Sequence, residues 1–262
     1  MGVLNVTPDS FSDGGLYLDP GEAIARGLAL FEAGADVVDV GGESTRPGGA
    51  PLDPETEIGR VWPVIDGLRR QARGLVSVDT TKARVAAAAL DAGAEIVNDV
   101  SGFRYDPELA PLVAKRGVPV ILMHIRGDFA AMHRDPVYSD VMAEVVADLR
   151  QALARAEAAG VPRAQVILDP GIGFSKTAAH SLEVIRRLPE MAALDRPVLA
   201  GPSRKSFIGS VLDLPVGERL MGTAAAVAAC VLGGAHIVRV HDVGEMVQVV
   251  RMCDAIRGER AA

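Results

Sequence analysis

The feature that most constrains the fold of this chain is a short pattern that occurs three times. The segments EAGADVVDV (32–40), DAGAEIVND (91–99) and LGGAHIVRV (232–240) each place a glycine after a helical stretch and a β-branched run almost directly after that glycine. Glycine readily adopts the left-handed conformation that closes a helix, and β-branched residues favour strands. The pattern therefore predicts repeated passages from helix to strand, as in βαβ units.

Eight segments with strand character alternate with helical patterns along the chain. Strands are expected at residues 3–6, 37–40, 75–78, 95–97, 118–123, 166–168, 198–200 and 237–240. Helices are expected at residues 21–33, 55–71, 82–92, 107–115, 138–159, 178–194, 224–232 and 244–256. This alternation is typical of the α/β class and predicts a TIM (β/α)₈ barrel, with a doubly wound open sheet as the alternative. No linker divides the chain, so residues 1–262 are expected to form a single barrel domain.

Composition excludes several classes of function. The 262 residues are 49% hydrophobic, which is enough for a large core, and the net charge of −7 provides no general attraction for nucleic acid or an anionic membrane. The longest run of small apolar residues, 224–232, is too short to cross a bilayer. Cys230 and Cys253 both lie in apolar, helix-like segments, so reduced thiols are expected rather than a disulfide framework. We therefore expect a cytoplasmic protein that binds neither nucleic acid nor membrane.

Hydrogen-bonding or charged residues follow all eight predicted strands. In a (β/α)₈ barrel these positions converge on the face that holds the active sites of barrel enzymes. A single acidic residue after a strand is usually an N-cap or a turn residue, but capping alone does not explain all eight. The residues at or shortly after the carboxyl ends of the strands, in chain order, are Asn5, Asp39, Asp79, Asn98, His124, Asp169, Lys205 and Arg239. We expect this polar ring to be the functional site.

Part of the ring is suited to a flat, nitrogen-rich heterocycle. Asp79, Asn98, Asp169 and Lys205 offer acceptors and donors, and a carboxylate pairs with two adjacent N–H groups of such a ring as it does with a guanidinium. The planar guanidinium of Arg239 is suited to stacking on the ring face. The structural alternative is that Asp169 and Lys205 simply pair with each other.

The segment SRKS (203–206) lies between a predicted strand and an apolar stretch that reads as the opening of a helix. Cations and hydroxyls at a helix start form a ready site for an anion. The structural alternative is that Ser203 is only an N-cap and that Arg204 and Lys205 are solvated.

Two long glycine-rich loops, 7–15 and 41–51, follow the first two predicted strands. Connections of this length are often mobile lids, although ordinary solvated turns have the same composition. A phosphate-bearing group would find its partners in Asn5, Thr45, Arg46 and His241. Because Asn5 is a poor metal ligand by itself, any metal is expected to be a hard cation shared with phosphate oxygens, most simply Mg²⁺.

Eight motifs, in one order, resemble those of the dihydropteroate synthases. MGVLNVTPDSFSDGG (1–15) and VDVGGESTRPG (38–48) resemble the two signatures of that family. The remaining motifs follow in the family's order: VDT (78–80), IVNDVSG (96–102), LMHIRG (122–127), LDPGIGF (168–174), SRKS (203–206) and RVHDV (239–243). The resemblance covers nearly the whole chain.

The resemblance implies a transferase of folate biosynthesis that works as a homodimer with Mg²⁺ and is a sulfonamide target. Family members join 6-hydroxymethyl-7,8-dihydropterin diphosphate to p-aminobenzoate and release diphosphate and 7,8-dihydropteroate. The family's pattern assigns pterin binding to Asp79, Asn98, Met123, Asp169, Lys205 and Arg239. It assigns diphosphate binding to Asn5, Thr45, Arg46 and His241, with Asn5 also at the metal.

The same resemblance implies how the reaction proceeds. The C–O bond breaks largely before the amine attacks, so no nucleophilic serine or cysteine is needed. Catalytic roles fall to Lys205, Asp13 and Arg46, of which Asp13 steadies the cationic pterin. The aminobenzoate pocket is expected to be lined by Phe11, Pro47, Phe174 and Ser206.

Two other functions for a pterin-binding barrel remain as alternatives, and one residue differs from the family's pattern. A pterin-binding methyltransferase domain, which passes a folate methyl group to a corrinoid, shares the pterin floor but needs no groups for diphosphate. A non-catalytic pterin-binding relative is expected to have lost the diphosphate contacts or loop residues, which this chain retains. The departure is Ser175, which stands where many family members carry glycine.

Overall fold

In the computed structural model, which describes residues 1–7, 19–43, 52–127 and 136–258, strands and helices alternate. The strands are β1 (Gly2–Asn5), β2 (Val37–Gly41), β3 (Leu75–Asp79), β4 (Ile96–Asp99), β5 (Val120–Met123), β6 (Val166–Asp169), β7 (Leu199–Ala200) and β8 (Ile237–Val238). The helices are α1 (Pro20–Glu32), α2 (Pro54–Gln71), α3 (Ala83–Asp91), α4 (Leu109–Arg116), α5 (Val141–Ala158), α6 (Ala178–Arg186), α7 (Ser206–Leu212), α8 (Leu220–Leu232) and α9 (Val243–Arg257).

The strands close into a barrel because each pairs in parallel with its neighbours in chain order. β1 to β6 form one sheet, and β7 pairs with β8. Parallel bridges join Leu168 of β6 to Val198 beside β7, and Gly2 of β1 to Val240 beyond β8. The predicted (β/α)₈ barrel is confirmed, and the alternative of an open doubly wound sheet is wrong.

The repeated glycines close their helices in the way that the sequence predicts. Gly34, Gly93 and Gly234 have φ angles of +101°, +108° and +99°, a conformation that costs glycine little and other residues much more. In each repeat the next strand begins three residues after the glycine. The short helix-to-strand passage therefore has a local cause in the sequence.

Three predicted helices differ from the observed ones by three residues or more. The helix expected over 224–232 begins four residues earlier, at Leu220. The helix expected over 178–194 ends at Arg186, and Leu188–Leu194 is a 3₁₀ helix, because Pro189 has no N–H to continue the α-helical ladder. The helix expected from residue 138 begins instead at Val141, because the Asp140 side chain accepts the backbone N–H groups of the first turn.

The barrel interior is divided into an apolar layer and a polar layer. Met1, Val37, Ile96, Ile121 and Leu199 form a buried cluster contributed by five strands and their edges. Because strand side chains alternate between faces, the next inward positions lie two residues further along. Those positions include Asp39, Asn98, Met123 and Asp169, all buried. The apolar layer thus supports a polar floor at the carboxyl ends of the strands.

None of the described helices is long and apolar enough to span a membrane. Cys230 and Cys253 are free and buried, which confirms the expectation of thiols for these two residues.

Candidate functional site

An ion-pair network crosses the polar floor of the barrel. Arg239 donates from Nε to Oδ2 of Asp39 at 2.7 Å and from Nη2 to Oδ2 of Asp79 at 2.9 Å. Asn98 donates from Nδ2 to the same Asp39 oxygen at 2.9 Å. The network joins β2, β3 and β4 to the residue that follows β8. It brings together three of the residues that the sequence predicts for the heterocycle.

Burial sets the electrostatics of this network. It raises the pKa of Asp79 to about 7, even though Arg239 acts in the opposite direction. Burial alone would lower the pKa of Arg239, but Asp39 and Asp79 outweigh it and raise that pKa above its usual value. Oδ1 of Asp39 is buried and has no hydrogen-bond partner among the described residues. The Arg239 guanidinium, the carboxyls of Asp39 and Asp79 and the unpaired Oδ1 of Asp39 therefore lie close together on the floor of the barrel.

A second group of predicted residues gathers around the turn after β6. Nζ of Lys205 donates to the carbonyl of Ile172 and lies 4.2 Å from the ring centroid of Phe174. Asp169 accepts a 2.7 Å bond from the backbone N–H of Gly171. No ion pair within 4.0 Å joins Asp169 to Lys205, so simple pairing does not explain these two residues.

Burial again dominates the charges of this second group. It lowers the pKa of Lys205 to about 8, although Asp169 raises it, and it raises the pKa of Asp169, although Lys205 lowers it. The ring of Phe174 over Nζ adds a cation–π contact. Lys205 is therefore a desolvated cation whose amine faces the same pocket as a desolvated carboxyl.

The SRKS segment differs from the structural alternative, in which Ser203 is the N-cap and both cations are solvated. Lys205, not Ser203, is the N-cap of α7, and it makes no side-chain cap bond. Arg204 pairs with Asp242 through two hydrogen bonds, one of them 2.9 Å long from Nε to Oδ2. Arg204 is thus already paired, which leaves Lys205 as the cation of this segment that enters the site.

His241 is held by Ser203. The Ser203 hydroxyl oxygen accepts the backbone N–H of His241 at 3.2 Å and lies 2.9 Å from its Nδ1. This geometry favours donation from the hydroxyl to Nδ1, which leaves an N–H at Nε2. Burial, Arg239 and Arg204 lower the pKa of His241 to about 4. The imidazole is therefore a neutral donor at physiological pH.

The other predicted residues are placed as follows. Met123 packs in a small cluster with Val100, Ile125 and Phe174. Asn5 ends β1 beside Gly41, where a Cβ atom would lie 3.6 Å from Asn5 Oδ1. Ser206 is the exposed first residue of α7. Five further predicted residues lie outside the described ranges: Phe11, Asp13, Thr45, Arg46 and Pro47.

A buried ion cluster that the sequence analysis missed holds the base of the second loop. Nζ of Lys82 lies 2.9 Å from Oε2 of Glu43 and 2.5 Å from Oε2 of Glu57. Glu43 also accepts the backbone N–H of Leu52 at 2.5 Å, which ties together the two described ends of the loop. The pairing of Lys82, directly before α3, with Glu57, in the first turn of α2, was not predicted, because acidic and basic residues on helices usually face solvent.

His124 was expected on the rim of the pocket, but it lies behind the turn after β6. Its ring is buried, with Nε2 3.2 Å from Asp148 and Nδ1 2.9 Å from Nζ of Lys176. Lys176 also contacts the carbonyls of Gly171 and Phe174. Sequence reasoning missed Lys176. A lysine directly after a glycine-rich turn at a strand end was the available signal.

Ser175, the noted departure, has a left-handed backbone with φ of +47°. Its hydroxyl accepts from the N–H of Arg126 at 3.0 Å and donates to the Arg126 carbonyl at 2.9 Å. The side chain therefore compensates for a conformation that glycine adopts without strain.

We expect Ser175→Gly to be less destabilising than Ser175→Ala. Alanine keeps the strained conformation and loses both hydrogen bonds, which costs about 1–2 kcal/mol. Glycine loses the same bonds but relieves a backbone strain of about 1 kcal/mol. Urea unfolding of both variants gives the two free energies. A glycine variant less stable than the alanine variant would contradict this account of Ser175.

One cavity in the described part of the chain lies away from the predicted site residues. A cavity of about 650 Å³ lies at the opposite end of the barrel, beside the start of β7 and β8. Its lining includes Val198, Val231, Ala235 and Val238 and none of the predicted site residues. The converging charges and hydrogen bonds distinguish the site at the carboxyl ends of the strands.

Comparisons with known proteins point to one family. The sequence model of a family described as "Pterin binding enzyme" matches residues 1–241. The dihydropteroate synthase of Mycobacterium leprae is 49% identical over 263 residues, which cover 97% of this chain and 92% of that protein.

Solved structures agree in fold and in family. A Xanthomonas albilineans dihydropteroate synthase with 4-aminobenzoic acid matches with a TM-score of 0.92 at 42% identity, covering 99% of this chain and 93% of that one. A Yersinia pestis dihydropteroate synthase in a sulfonamide drug complex matches with a TM-score of 0.93 at 39% identity, covering 98% of this chain and 93% of that one.

Proposed function

The chain belongs to the dihydropteroate synthase family, and from that premise we propose how its own residues carry out the reaction. The enzyme is a transferase of folate biosynthesis that joins 6-hydroxymethyl-7,8-dihydropterin diphosphate to p-aminobenzoate. The observation that carries the residue-level proposal is the floor formed by Arg239, Asp39, Asp79 and Asn98. The relatives that match over nearly the full length are synthases, which disfavours the methyltransferase and the non-catalytic alternatives.

The pterin occupies the polar floor in this proposal. Its ring N–H groups meet the carboxyls of Asp79 and Asp169, while Asn98 and Lys205 face its mixed edge. The Arg239 guanidinium, held flat by two carboxylates, covers a ring face, and Met123 supplies an apolar contact. Burial raises the pKa of both carboxyls, so hydrogen bonds from N–H groups of a ligand would stabilise their charged forms.

The diphosphate lies toward β1 and β8, where it meets Asn5, Thr45, Arg46 and His241. A neutral His241 with a proton on Nε2 donates a hydrogen bond to a phosphate oxygen without adding charge. The donor set suits Mg²⁺ at Asn5, because an amide oxygen is a hard ligand and Mg²⁺ binds through one or two protein oxygens plus phosphates. When bound, Mg²⁺ supplies positive charge to the leaving diphosphate.

The bond changes need no covalent enzyme intermediate. The C–O bond at the pterin methylene breaks and its electron pair leaves with the diphosphate. The aminobenzoate nitrogen then forms the C–N bond and releases a proton to solvent. Lys205 and Arg46 stabilise developing negative charge, and Asp13 steadies the cationic pterin. Phe11, Pro47, Phe174 and Ser206 form the aminobenzoate pocket.

The direct test is to incubate the protein with the dihydropterin diphosphate, p-aminobenzoate and Mg²⁺. We expect release of diphosphate together with a product of the mass of 7,8-dihydropteroate. Formation of the condensed product should require p-aminobenzoate, and a sulfonamide should compete with it. Absence of the condensed product from folded protein would refute the proposal.

We also propose that the protein is a homodimer. Large apolar side chains are exposed on α7, α8 and α9 and on the 3₁₀ turn between α7 and α8: Val211, Leu212, Val216, Met221, Leu232, Met252 and Ile256. α8 also carries Ala225 and Ala229 on its exposed side, and small residues let helices approach closely. Monomers rarely expose so many large apolar groups in one region.

We also propose that the protein is cytoplasmic. Cys230 and Cys253, as free buried thiols, support a location in the reducing cytoplasm.

We expect Met221→Asp to convert the dimer into a monomer. Met221 is 77% exposed on α8, and a carboxylate there would be desolvated in an interface between two copies. Light scattering on the purified protein measures the change. Trp62→Asp is the matched control, because Trp62 is 43% exposed on α2, away from that face, and should leave the dimer intact. A monomeric parent protein would refute the proposal.

A further inference from the structure

A half-buried lysine lies behind the turn that connects β6 to α6. Nζ of Lys176 is 2.9 Å from Nδ1 of His124, 3.0 Å from the carbonyl of Gly171 and 3.2 Å from the carbonyl of Phe174. An ammonium group has three N–H donors, and this one has three partners. The proposed reaction assigns this lysine no role.

The contacts determine where the protons lie. Nε2 of His124 is 3.2 Å from the carboxylate of Asp148, which only accepts hydrogen bonds, so Nε2 carries the proton and Nδ1 is an acceptor. The carbonyls of Gly171 and Phe174 are also acceptors. All three partners of Lys176 are therefore satisfied together only by its charged form.

The turn needs such support because of its backbone. Gly171, Gly173 and Ser175 have φ angles of +67°, +79° and +47°, so left-handed residues occupy alternate positions. A Cβ on Gly171 would lie 2.0 Å from the carbonyl oxygen of His124. The turn is thus packed directly against the end of β5 and has little freedom to move without breaking contacts.

The same turn carries the pterin-binding groups. The backbone N–H of Gly171 orients Asp169, and the carbonyl of Ile172 accepts the hydrogen bond from Lys205. The carbonyls of Gly171 and Phe174 accept hydrogen bonds from Lys176, and that of Gly171 also accepts one from the backbone N–H of Phe174. A shift of the turn would therefore displace Asp169 and Lys205 together.

We propose that Lys176, seated by His124 and Asp148, is a positioning residue that fixes the 171–174 turn and thereby the pterin-binding geometry of Asp169 and Lys205. The inference rests on the proposed function, since it identifies what keeps the side chains of that site in place. Lys176 acts through the turn and not through the substrate.

The arrangement predicts a pH dependence. The charged and titratable groups that face Lys176 are Asp169, Lys205, Arg126, Asp148 and His124. Burial, opposed by Asp169, lowers the pKa of Lys176 to about 7, and burial lowers that of His124 to about 4. As pH rises through 7, Lys176 loses its proton and one of its three hydrogen bonds while His124 stays neutral. Pterin affinity should fall over the same range.

The test compares Lys176→Met with Lys115→Met, which removes a charge from an exposed position in the last turn of α4. Binding of 6-hydroxymethylpterin, which lacks diphosphate, is measured by calorimetry from about pH 6 to about pH 8.5. We expect Lys176→Met to weaken binding roughly 10- to 100-fold at the acid end, as for other supporting residues. The fall in affinity with pH should become smaller but should not vanish, because Asp79 and Lys205 titrate in the same range. Lys115→Met should match the parent protein.

Asp148→Asn keeps the protein testable if Lys176→Met does not fold, since Asp148 lies partly exposed on α5. This variant should weaken pterin binding in the same direction by a smaller factor. Pterin affinity and pH profile unchanged in a folded Lys176→Met, or unchanged affinity in Asp148→Asn where the first variant fails to fold, would overturn the inference. Failure of the parent protein to bind pterin would instead refute the proposed function.

Discussion

Lys205→Ala is expected to lower kcat/KM for the dihydropterin diphosphate by roughly 10³-fold, because removal of one fixed group that stabilises developing charge costs about 3–4 kcal/mol. Lys205 donates to the Ile172 carbonyl, lies over the Phe174 ring and shares the pocket with Asp169. Its removal leaves the Asp169 carboxyl without that cation and removes positive charge that faces the reacting centre. Steady-state kinetics gives the loss, and calorimetry should show weaker pterin binding in parallel.

Lys115→Ala is the control, since it removes the same group from an exposed position of α4 and should keep parental kinetics. Lys205→Arg tests whether positive charge alone supports activity, because it keeps the charge and changes the size and shape of the side chain. The guanidinium is larger and always protonated, so it should restore little activity in a closed space beside Phe174. Near-normal turnover in Lys205→Ala would remove this residue from the mechanism.

Arg239→Met is expected to lower the free energy of unfolding by about 3–5 kcal/mol, because it leaves Asp39 and Asp79 together without their shared cation. Both carboxylates bind the guanidinium within 3 Å, at 2.7 and 2.9 Å. In the variant, Asn98 still donates a hydrogen bond to Oδ2 of Asp39, but no cation among the described residues does. The floor of the barrel should become both less stable and unable to hold a pterin.

The defect should depend on pH in a defined direction. The pKa of Asp79 is already raised to about 7 in the presence of Arg239, and loss of the cation raises it further. At pH 5 the Asp79 carboxyl is protonated in both proteins, so the missing cation costs little at this residue, whereas at pH 8 the parent gains stability from the charged pair with Arg239 and the variant does not. Arg239→Met should therefore be closer to the parent in stability at pH 5 than at pH 8. Arg251→Met, on an exposed position of α9, is the control, and a pH-independent defect would contradict the assignment.

The barrel could be predicted from local signals alone. A glycine that closes a helix and a strand that starts three residues later is a short-range pattern, and it recurs at Gly34, Gly93 and Gly234. Local patterns also locate the carboxyl ends of the strands, so most of the polar residues at those ends could be predicted as site residues. Pro189 shows where this reasoning failed, since a helical pattern continued through a residue that cannot donate.

Pairing between distant side chains could not be predicted. Arg204 and Lys205 are adjacent and chemically alike, yet Arg204 pairs with Asp242 whereas Lys205 enters the pocket. Their directions depend on the left-handed backbone of Arg204, which has φ of +56° and is not encoded by residue type. Asp39 was noted as a strand-end residue, but its role as the joint partner of Arg239 and Asn98 follows only from barrel closure.

The pairing of Gly2 with Val240 has a consequence for biosynthesis. During translation the free edge of β1 stays unmatched until about 240 residues have left the ribosome, which takes roughly 10–50 s at bacterial and eukaryotic elongation rates. An open edge of this kind is a template for intermolecular association. Nascent chains of this protein should therefore depend on chaperone shielding until the last strand emerges, and a ribosome stalled before residue 237 should carry an aggregation-prone, open barrel that lacks β8.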